Sequence, residues 1–220
     1  MEHQVLLERL KDERSKRVVF VSHCLLNENT RYLGGAFRRG CVDELMDGFQ
    51  QEGLGIYQMR CPEQQAWGGV LKRYVLPFYG SQGRLLYRLR HMLLPFFLWY
   101  TRWVYRRIAK EVVRDIEDNV RSGYEVVGIV GVGGSPSCGV SSTLDLQCSL
   151  EAIAGCPVAT CDRRLMNEKA IAACLREGEG LFIAAIQRQL RHKRISVKWY
   201  ELDLLAEIRG LPIYLRAAHI

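Results

Sequence analysis

The sequence lacks a hydrophobic run long enough to cross a membrane. Its most apolar stretch, HMLLPFFLWYTRWVYRR at 91–107, is interrupted by Pro95 and Arg102, whereas a spanning helix needs ~20 apolar residues. The N-terminal stretch MEHQVLLERLKDERSK is too charged for a secretory signal. We therefore expect a cytoplasmic protein. An apolar fraction of 48% over 220 residues excludes global disorder and predicts one domain, or one domain with an insertion.

Closely paired metal ligands of the CxxC or CxxH type are also absent. The chain has eight cysteines, and in a reducing compartment we do not expect them to form a disulfide framework. They are then small core residues, metal or cluster ligands, or reactive thiols. Spacing alone does not distinguish zinc from iron. The stretch GVGGSPSCG at 131–139 lacks the lysine of a P-loop and the full GxGxxG spacing, which excludes a nucleotide fingerprint.

Acidic residues are missing from Gln64 to Lys110. That stretch contains nine Lys or Arg and eleven of the 21 aromatic residues, in a chain of net charge +7. The bias predicts a basic, aromatic, helical insertion at about 72–110. Three interpretations of this segment stay open: a lid or dimer face packed on the domain, a surface that lies on a membrane, and an RNA contact through phosphate pairing and base stacking.

Apolar runs alternate with helical periodicity along the rest of the chain. Residues 1–16 suit a short amphipathic helix or a loose arm. The predicted strands are 17–23, 55–60, 125–134, 157–160 and 194–200. The predicted helices are 41–52, a long helix that ends before Gly123, 144–154, 167–176 and 180–191. Pro95 fits either the first turn of the long helix or a kink within a still longer one. Because the strands are apolar throughout rather than alternating, they predict a single α/β domain with a mostly parallel, Rossmann-like sheet covered by helices on both faces.

Three of the predicted strands run into a cysteine. VVFVSHC ends at Cys24, IYQMRC ends at Cys61, and VVGIVGVGGSPSC leads to Cys138. The carboxyl ends of parallel strands share one edge of the sheet, where ligands bind in open α/β folds. We therefore expect the three thiols to converge on one site. Three protein ligands would leave one position of a metal centre open, as catalysis needs. The alternative is three unrelated core cysteines.

These stretches resemble the 2-thiouracil desulfurase family. The matching pieces are SHCLLN with Thr30, Arg31 and Tyr32 behind it, the CPE at 61–63, and GSPSCG at 134–139. Their order and placement match as well, over residues 17–140. The basic aromatic segment and the turn after Tyr32 depart from the compact members of the family, which bears on the identity of the substrate.

The resemblance implies a single α/β domain that holds a 4Fe-4S cluster by Cys24, Cys61 and Cys138, with one iron open. That iron would bind the sulfur of a thiolated pyrimidine base or nucleoside, and hydrolysis would convert C=S to C=O. Glu63 would transfer the proton and Ser135 would position the substrate. Further predicted contacts to the substrate come from His23, Asn27, Arg31 and Ser137.

Other interpretations of these residues are left open. Glu63 would equally cap a helix, and His23 would equally be a strand residue hydrogen-bonded in the core. Arg31 and Tyr32 suit either an anionic or aromatic substrate or a solvated salt bridge in a loop. Cys41 and Cys174 fit core positions of helices. The alternative function is a non-catalytic cluster- or zinc-binding protein associated with RNA or a membrane surface.

Overall fold

Strands and helices alternate along the chain. The structure, a computed structural model, describes residues 10, 12–31, 35–79, 85–154 and 163–218. The strands there are β1 (Arg17–Ser22), β2 (Gly55–Met59), β3 (Glu125–Val132), β4 (Ser142–Leu144), β5 (Leu175–Glu177), β6 (Trp199–Leu202) and β7 (Leu215–Ala218). The α-helices there are α1 (His23–Leu26), α2 (Asp43–Gln51), α3 (Pro62–Trp67), α4 (Leu76–Tyr79), α5 (Leu85–Arg88), α6 (Arg90–Arg121), α7 (Leu146–Ala154), α8 (Arg163–Cys174), α9 (Leu181–Lys193) and α10 (Leu204–Ile208). Two 3₁₀ turns, Glu28–Thr30 and Arg73–Val75, complete the regular structure in these ranges.

Five strands form the main sheet in the order β2-β1-β3-β6-β7. The first four are parallel, and β7 pairs with β6 in the antiparallel direction. β1 lies between β2 and β3, so the chain leaves β1 toward one side and later returns on the other. This is the switch point at which open α/β sheets form a crevice.

Helices cover both faces of this sheet, which confirms the predicted fold class. Along β1, Val18 and Phe20 point into a core shared with α3, α6, α7, α8 and α9. Val19 and Val21 point into a second core with Leu45 of α2 and with Leu202. A strand buried on both sides has no polar face, which explains its uninterrupted apolar sequence.

The longest helix, α6, begins at Arg90 and includes Pro95. Pro95 lies in its second turn, which agrees with the second of the two predicted alternatives, a proline within a longer helix. Val104, Ile108, Val112 and Ile116 are buried along one face, whereas Val120 is exposed. Gly123, with φ of +76°, allows the turn after the helix. The insertion at 72–110 stays a prediction. Its residues contribute Val75, Phe78, Leu94 and Leu98 to the larger core.

The helices predicted at 144–154, 167–176 and 180–191 are present as α7, α8 and α9, but the short strands of the last third were missed or misplaced. Residues 142–144 form β4 and 175–177 form β5, an antiparallel pair where the sequence predicted the ends of two helices. The predicted strand at 194–200 begins only at Trp199, and it is not the last strand because β7 follows. Strands of three or four residues give too short a pattern for sequence periodicity. The predicted strand at 157–160 and residues 1–9 lie outside the described residues.

Two expectations about cysteines are wrong. Cys148 and Cys174 form a disulfide between α7 and α8, although no disulfide was expected. Cys41 is not a core residue, because α2 begins at Asp43 and the partly exposed Cys41 thiol donates to Asp43 Oδ1 at 3.2 Å. Cys156 and Cys161 lie outside the described residues.

Across the described ranges, no helix combines the length and the apolar character that crossing a bilayer demands.

Candidate functional site

One cavity of about 240 Å³ opens beyond the carboxyl ends of β1, β2 and β3. Cys24, Cys61 and Cys138 all line it. Cys24 lies two residues after β1, Cys61 two residues after β2, and Cys138 at the end of the loop that follows β3. The structure therefore brings the three cysteines together at the edge where the sequence places them.

A buried ionic cluster holds the loop that follows Cys24. The Arg31 guanidinium is 4% exposed and lies 3.2 Å from a carboxylate oxygen of Glu28 and 3.2 Å from one of Glu207. Its Nε donates to the Cys24 carbonyl at 3.3 Å. Arg38 pairs with the same two carboxylates. Arg31 is thus not a solvated loop residue, because it ties the Cys24 backbone to α10 through Glu207.

One nitrogen of the Arg31 guanidinium has no acceptor within the described part of the chain. Arg31 lines the cavity, and its Nη2 is buried with no hydrogen-bond partner among the described residues. A buried donor without an acceptor costs about 1–3 kcal/mol. An acceptor oxygen on a ligand that reached Nη2 would remove that cost.

The loop that carries Cys138 folds back over the end of β3. Val132 N–H donates to the Cys138 carbonyl at 2.8 Å. A Cβ at Gly131 would lie 2.4 Å from that same carbonyl oxygen, so only glycine permits the approach. The Ser135 hydroxyl accepts from Cys138 N–H at 3.0 Å and from Ser137 N–H at 3.3 Å. Ser135 therefore orders the loop as well as lining the cavity.

Helix α9 and Glu201 hold the same loop from outside. The first amides of α9 point at the loop, where Leu181 N–H donates to the Pro136 carbonyl and Phe182 N–H to the Ser137 carbonyl, each at 3.0 Å. The buried Glu201 carboxylate accepts from Val140 N–H at 2.6 Å and from Ser141 N–H at 2.7 Å. Glu201 is on β6, far along the sequence, and no local pattern indicated it.

Cys61 occupies the N-cap position of α3. Pro62 takes the first helical position, where its missing N–H is harmless. The Cys61 carbonyl accepts from Gln65 N–H at 3.3 Å. The CPE sequence therefore both starts a helix and directs the thiol and the next carboxylate toward the cavity.

Burial is the first cause of the raised pKa of each thiol. The pKa of Cys61 rises to about 12, with the Glu63 carboxylate as the next cause and Cys24 contributing as well. The Cys138 pKa is raised by burial and then by Cys24 and Cys61. For Cys24, burial raises the pKa and Arg31 opposes it. The three thiols thus lie near enough to one another to interact electrostatically.

Glu63 lies buried beside the cysteines between two partners. Its Oε1 accepts from the Ser137 hydroxyl at 2.9 Å, and its Oε2 accepts from Lys72 Nζ. Burial disfavours the charged form of Lys72, yet the Glu63 carboxylate outweighs burial and raises the Lys72 pKa. Lys72 Nζ also lies 5.7 Å from the Trp67 ring centroid. The site contains a charged pair, not a lone carboxylate.

Lys72 is a site residue that the sequence did not reveal. It belongs to the basic segment, where nothing distinguishes it from its neighbours. The local signal is the pair Gly68 and Gly69, both with positive φ, which turns the chain back after α3. Lys72 itself has a backbone φ of +49°, a conformation that residues other than glycine rarely adopt.

The remaining predicted contacts divide into two groups. His23 and Ser137 line the cavity, and burial lowers the pKa of His23. Asn27 is not among the lining residues, because its side chain caps the 3₁₀ turn by accepting from Asn29 N–H at 3.2 Å. The predicted contact from Asn27 is therefore not supported. Tyr32 lies outside the described residues.

Another part of the lining is mostly apolar, with Ser149 and Asn167 as its polar residues. It is built from α7 and α8, which supply Leu146, Leu150, Ile153, Met166, Ala170 and Ile171. The disulfide Cys148–Cys174 joins these two helices. The cationic side chains on the lining are Arg31 and Lys72, and both are paired with carboxylates. The cavity thus has a polar end at the strand edge and an apolar end under the helices.

The donor set suits a sulfur-ligated metal cluster. Four cysteines are free among the described residues, and three of them line the cavity. Within the ranges that the structure describes, no three His, Cys, Asp or Glu side chains are grouped as a single metal ion would require. Ligands of a cubane cluster each bind a different iron, so their sulfur atoms need not meet at one point.

Comparisons with protein-family models, curated proteins and solved structures found no match.

Proposed function

We propose that this protein is an iron–sulfur-dependent desulfurase that hydrolyses the thiocarbonyl group of a thiolated pyrimidine base or nucleoside. The observation that carries the proposal is the convergence of Cys24, Cys61 and Cys138 on one cavity beside the buried pair Glu63 and Lys72. Thiolates are the ligands that iron–sulfur clusters use, so the three cysteines would hold a 4Fe-4S cluster. A cluster iron without a protein ligand supplies a soft Lewis acid for a thiocarbonyl sulfur.

Protein side chains account for the proton transfers. The reaction consumes one water and exchanges C=S for C=O with release of hydrogen sulfide, so no net electrons are needed. Glu63 takes a proton from the attacking water and returns it to the departing sulfur. Ser137 fixes one carboxylate oxygen and Lys72 the other, so the carboxylate keeps one orientation toward the thiols.

The polar end of the cavity orients the substrate. Arg31 Nη2 is a buried donor with no acceptor among the described residues, and the exocyclic oxygen of a thiopyrimidine is an acceptor of the kind it requires. The ring then lies toward the apolar wall of α7 and α8. This arrangement supports a neutral base or nucleoside rather than a nucleotide, since the cationic groups on the lining are already paired.

Anaerobic preparation of the protein tests the cofactor. We expect a brown protein that contains iron and acid-labile sulfide, and Cys24→Ala, Cys61→Ala and Cys138→Ala should each lose both. Cys41→Ala is the matched control because Cys41 is free but does not line the cavity. A colourless protein with stoichiometric zinc would support the non-catalytic alternative instead.

Sulfide release from 2-thiouracil tests the reaction. Glu63→Gln should keep its iron and lose turnover by at least about a hundredfold, the usual contribution of a general acid–base group. A 6-alkyl-2-thiouracil should react at least as well as the parent base, and 2-thiouridine 5′-monophosphate should react poorly. An iron-loaded wild type that releases no sulfide from 2-thiouracil, from its 6-alkyl derivative or from the nucleoside 2-thiouridine would refute the proposed activity.

A further inference from the structure

A row of large apolar side chains lies exposed on the first half of α6. Met92, Phe96, Trp99 and Trp103 keep 60%, 69%, 67% and 49% of their surface exposed. Residues three and four apart share one face of a helix, and the row is roughly 17 Å long at 1.5 Å per residue. We call these four residues the apolar stripe.

The opposite face of α6 already has its partners. Leu94, Leu98, Thr101 and Tyr105 are buried there, and three of them belong to the larger core. The domain therefore holds α6 in place without the apolar stripe. The four side chains of the stripe do not contribute to the core. Exposed apolar surface of this kind is typical of interaction sites.

Aliphatic side chains extend the stripe toward the N-terminus of the helix. Leu85, Leu86 and Leu89 are 70%, 51% and 36% exposed, and they lie on α5 and on the residue that joins α5 to α6. Seven large apolar residues thus follow one another on the surface between 85 and 103. Four of the seven are aliphatic.

Positive charge borders the stripe on its C-terminal side. Arg102, Arg106, Arg107 and Lys110 are exposed on α6. The ion pairs that the structure describes on α6 involve residues from 111 onward, so none engages these four side chains. Since no acidic residue occurs between Gln64 and Lys110, the stripe and its basic border contain no negatively charged side chain of their own.

We propose that the apolar stripe with its basic border binds the surface of an anionic lipid membrane. A helix with Trp, Phe and Leu on one side and Arg beside them lies in the interfacial plane, with its apolar side chains roughly 5–10 Å deep. Basic side chains next to them attract anionic headgroups. The charge and the apolar residues thus favour the same surface.

The composition favours lipid over the other two occupants. RNA would use the aromatic rings and the arginines, but it offers no partner for Leu85, Leu86, Leu89 and Met92. A second copy of the chain would bring the same basic border against itself, because a two-fold interface pairs a patch with its own copy. Of these three occupants, a lipid surface is the one that takes both the aliphatic and the cationic side chains.

Tryptophan fluorescence gives a direct readout. The chain has four tryptophans; Trp67 and Trp199 are buried, whereas Trp99 and Trp103 are exposed in the stripe. Vesicles of phosphatidylcholine with phosphatidylglycerol should shift the emission of the full-length protein to shorter wavelength, and flotation should recover the protein with them. Pure phosphatidylcholine vesicles should bind it about tenfold less tightly or weaker still.

Substitutions on the stripe separate specific docking from general adhesion. The double variant Phe96→Ser/Trp99→Ser should weaken vesicle binding about tenfold or more. The matched control is Leu211→Ser/Tyr214→Ser, which removes two comparably exposed apolar side chains from another surface and should bind like wild type. Circular dichroism should show both variants folded, since the four side chains are largely outside the core.

Three results would overturn the proposal. The first is no flotation and no shift of emission with anionic vesicles. The second is binding of tRNA that Phe96→Ser/Trp99→Ser abolishes, with no binding of vesicles. The third is a concentration-dependent dimer that shifts the emission in the absence of lipid and dissociates in the same variant.

Discussion

Lys72 donates a hydrogen bond to Glu63 inside the protein, where both side chains are nearly inaccessible to solvent. The pair joins the basic segment to the CPE motif, two parts of the sequence that show no common pattern. Breaking one partner of a buried pair leaves an uncompensated charge, which is strongly destabilising.

The first prediction concerns the charge that remains when Lys72 is replaced. Lys72→Met keeps most of the stem but removes the ammonium, and we expect the free energy of unfolding to fall by about 3 kcal/mol. Met and Lys are equally constrained at this positive φ. The loss of stability therefore measures the effect of removing the ammonium charge. Urea unfolding measures it.

The double variant Glu63→Gln/Lys72→Met is the control for that prediction. Removing both charges should restore about half of the lost stability or more, because no buried charge is left without a partner. Purely additive losses would show that the two side chains stabilise the fold independently.

The second prediction concerns Gly131, which the Cys138 carbonyl approaches closely. Gly131→Ala should destabilise the protein by about 2 kcal/mol and reduce its iron content, because the added methyl group displaces the Cys138 loop. Gly48→Ala is the matched control. Gly48 lies in α2 with open space where its Cβ would be, so Ala should stabilise it by up to about 1 kcal/mol.

The third prediction concerns the carboxylate that organises the backbone after Cys138. Glu201→Gln should lower the free energy of unfolding by about 2 kcal/mol, since a charged acceptor of two short backbone hydrogen bonds is lost. Glu125→Gln makes the same change in an exposed pair with Arg17 and should cost less than about 1 kcal/mol. Equal losses in the two variants would contradict the role of Glu201.

The fourth prediction concerns the disulfide between α7 and α8. Reduction opens a loop of 26 residues, and the chain-entropy estimate for a loop of that length is about 3 kcal/mol. The melting temperature should therefore fall when dithiothreitol is added. The melting temperature of a Cys148→Ala/Cys174→Ala variant should be lower than that of the oxidised wild type, both with and without the reductant. The melting temperature of Cys41→Ala should fall on reduction as it does in the wild type. If the melting temperature of the wild type does not change when dithiothreitol is added, the disulfide does not stabilise the fold.

Sequence reasoning succeeded where the determinants are local. β1 and β3 are long apolar runs that end in polar or glycine-rich turns, and their parallel pairing follows from burial on both faces. Placing Cys24, Cys61 and Cys138 near one another needed no more than this, because parallel strands share their carboxyl edge.

The sequence did not reveal contacts between residues that lie far apart in the chain, and it did not reveal the shortest strands. Lys72 reaches Glu63 only because two glycines reverse the chain, and Glu201 reaches the Cys138 loop from a strand 61 residues away. The disulfide depends on α7 and α8 being brought together beside the short β4–β5 pair. Each of these contacts depends on tertiary packing, and a local stretch of sequence does not indicate which distant residues will pack against it.

The position of β1 between β2 and β3 has a consequence for biogenesis. The ribosome delivers Cys24 and Cys61 early, but Cys138 emerges only after the whole of α6 and β3 has been made. A nascent chain interrupted before that point would contain Cys24 and Cys61, two of the three cysteines that line the cavity, but not Cys138. If the three cysteines hold the proposed cluster, its assembly can be completed only after the middle of the chain has been translated and β3 has paired with β1.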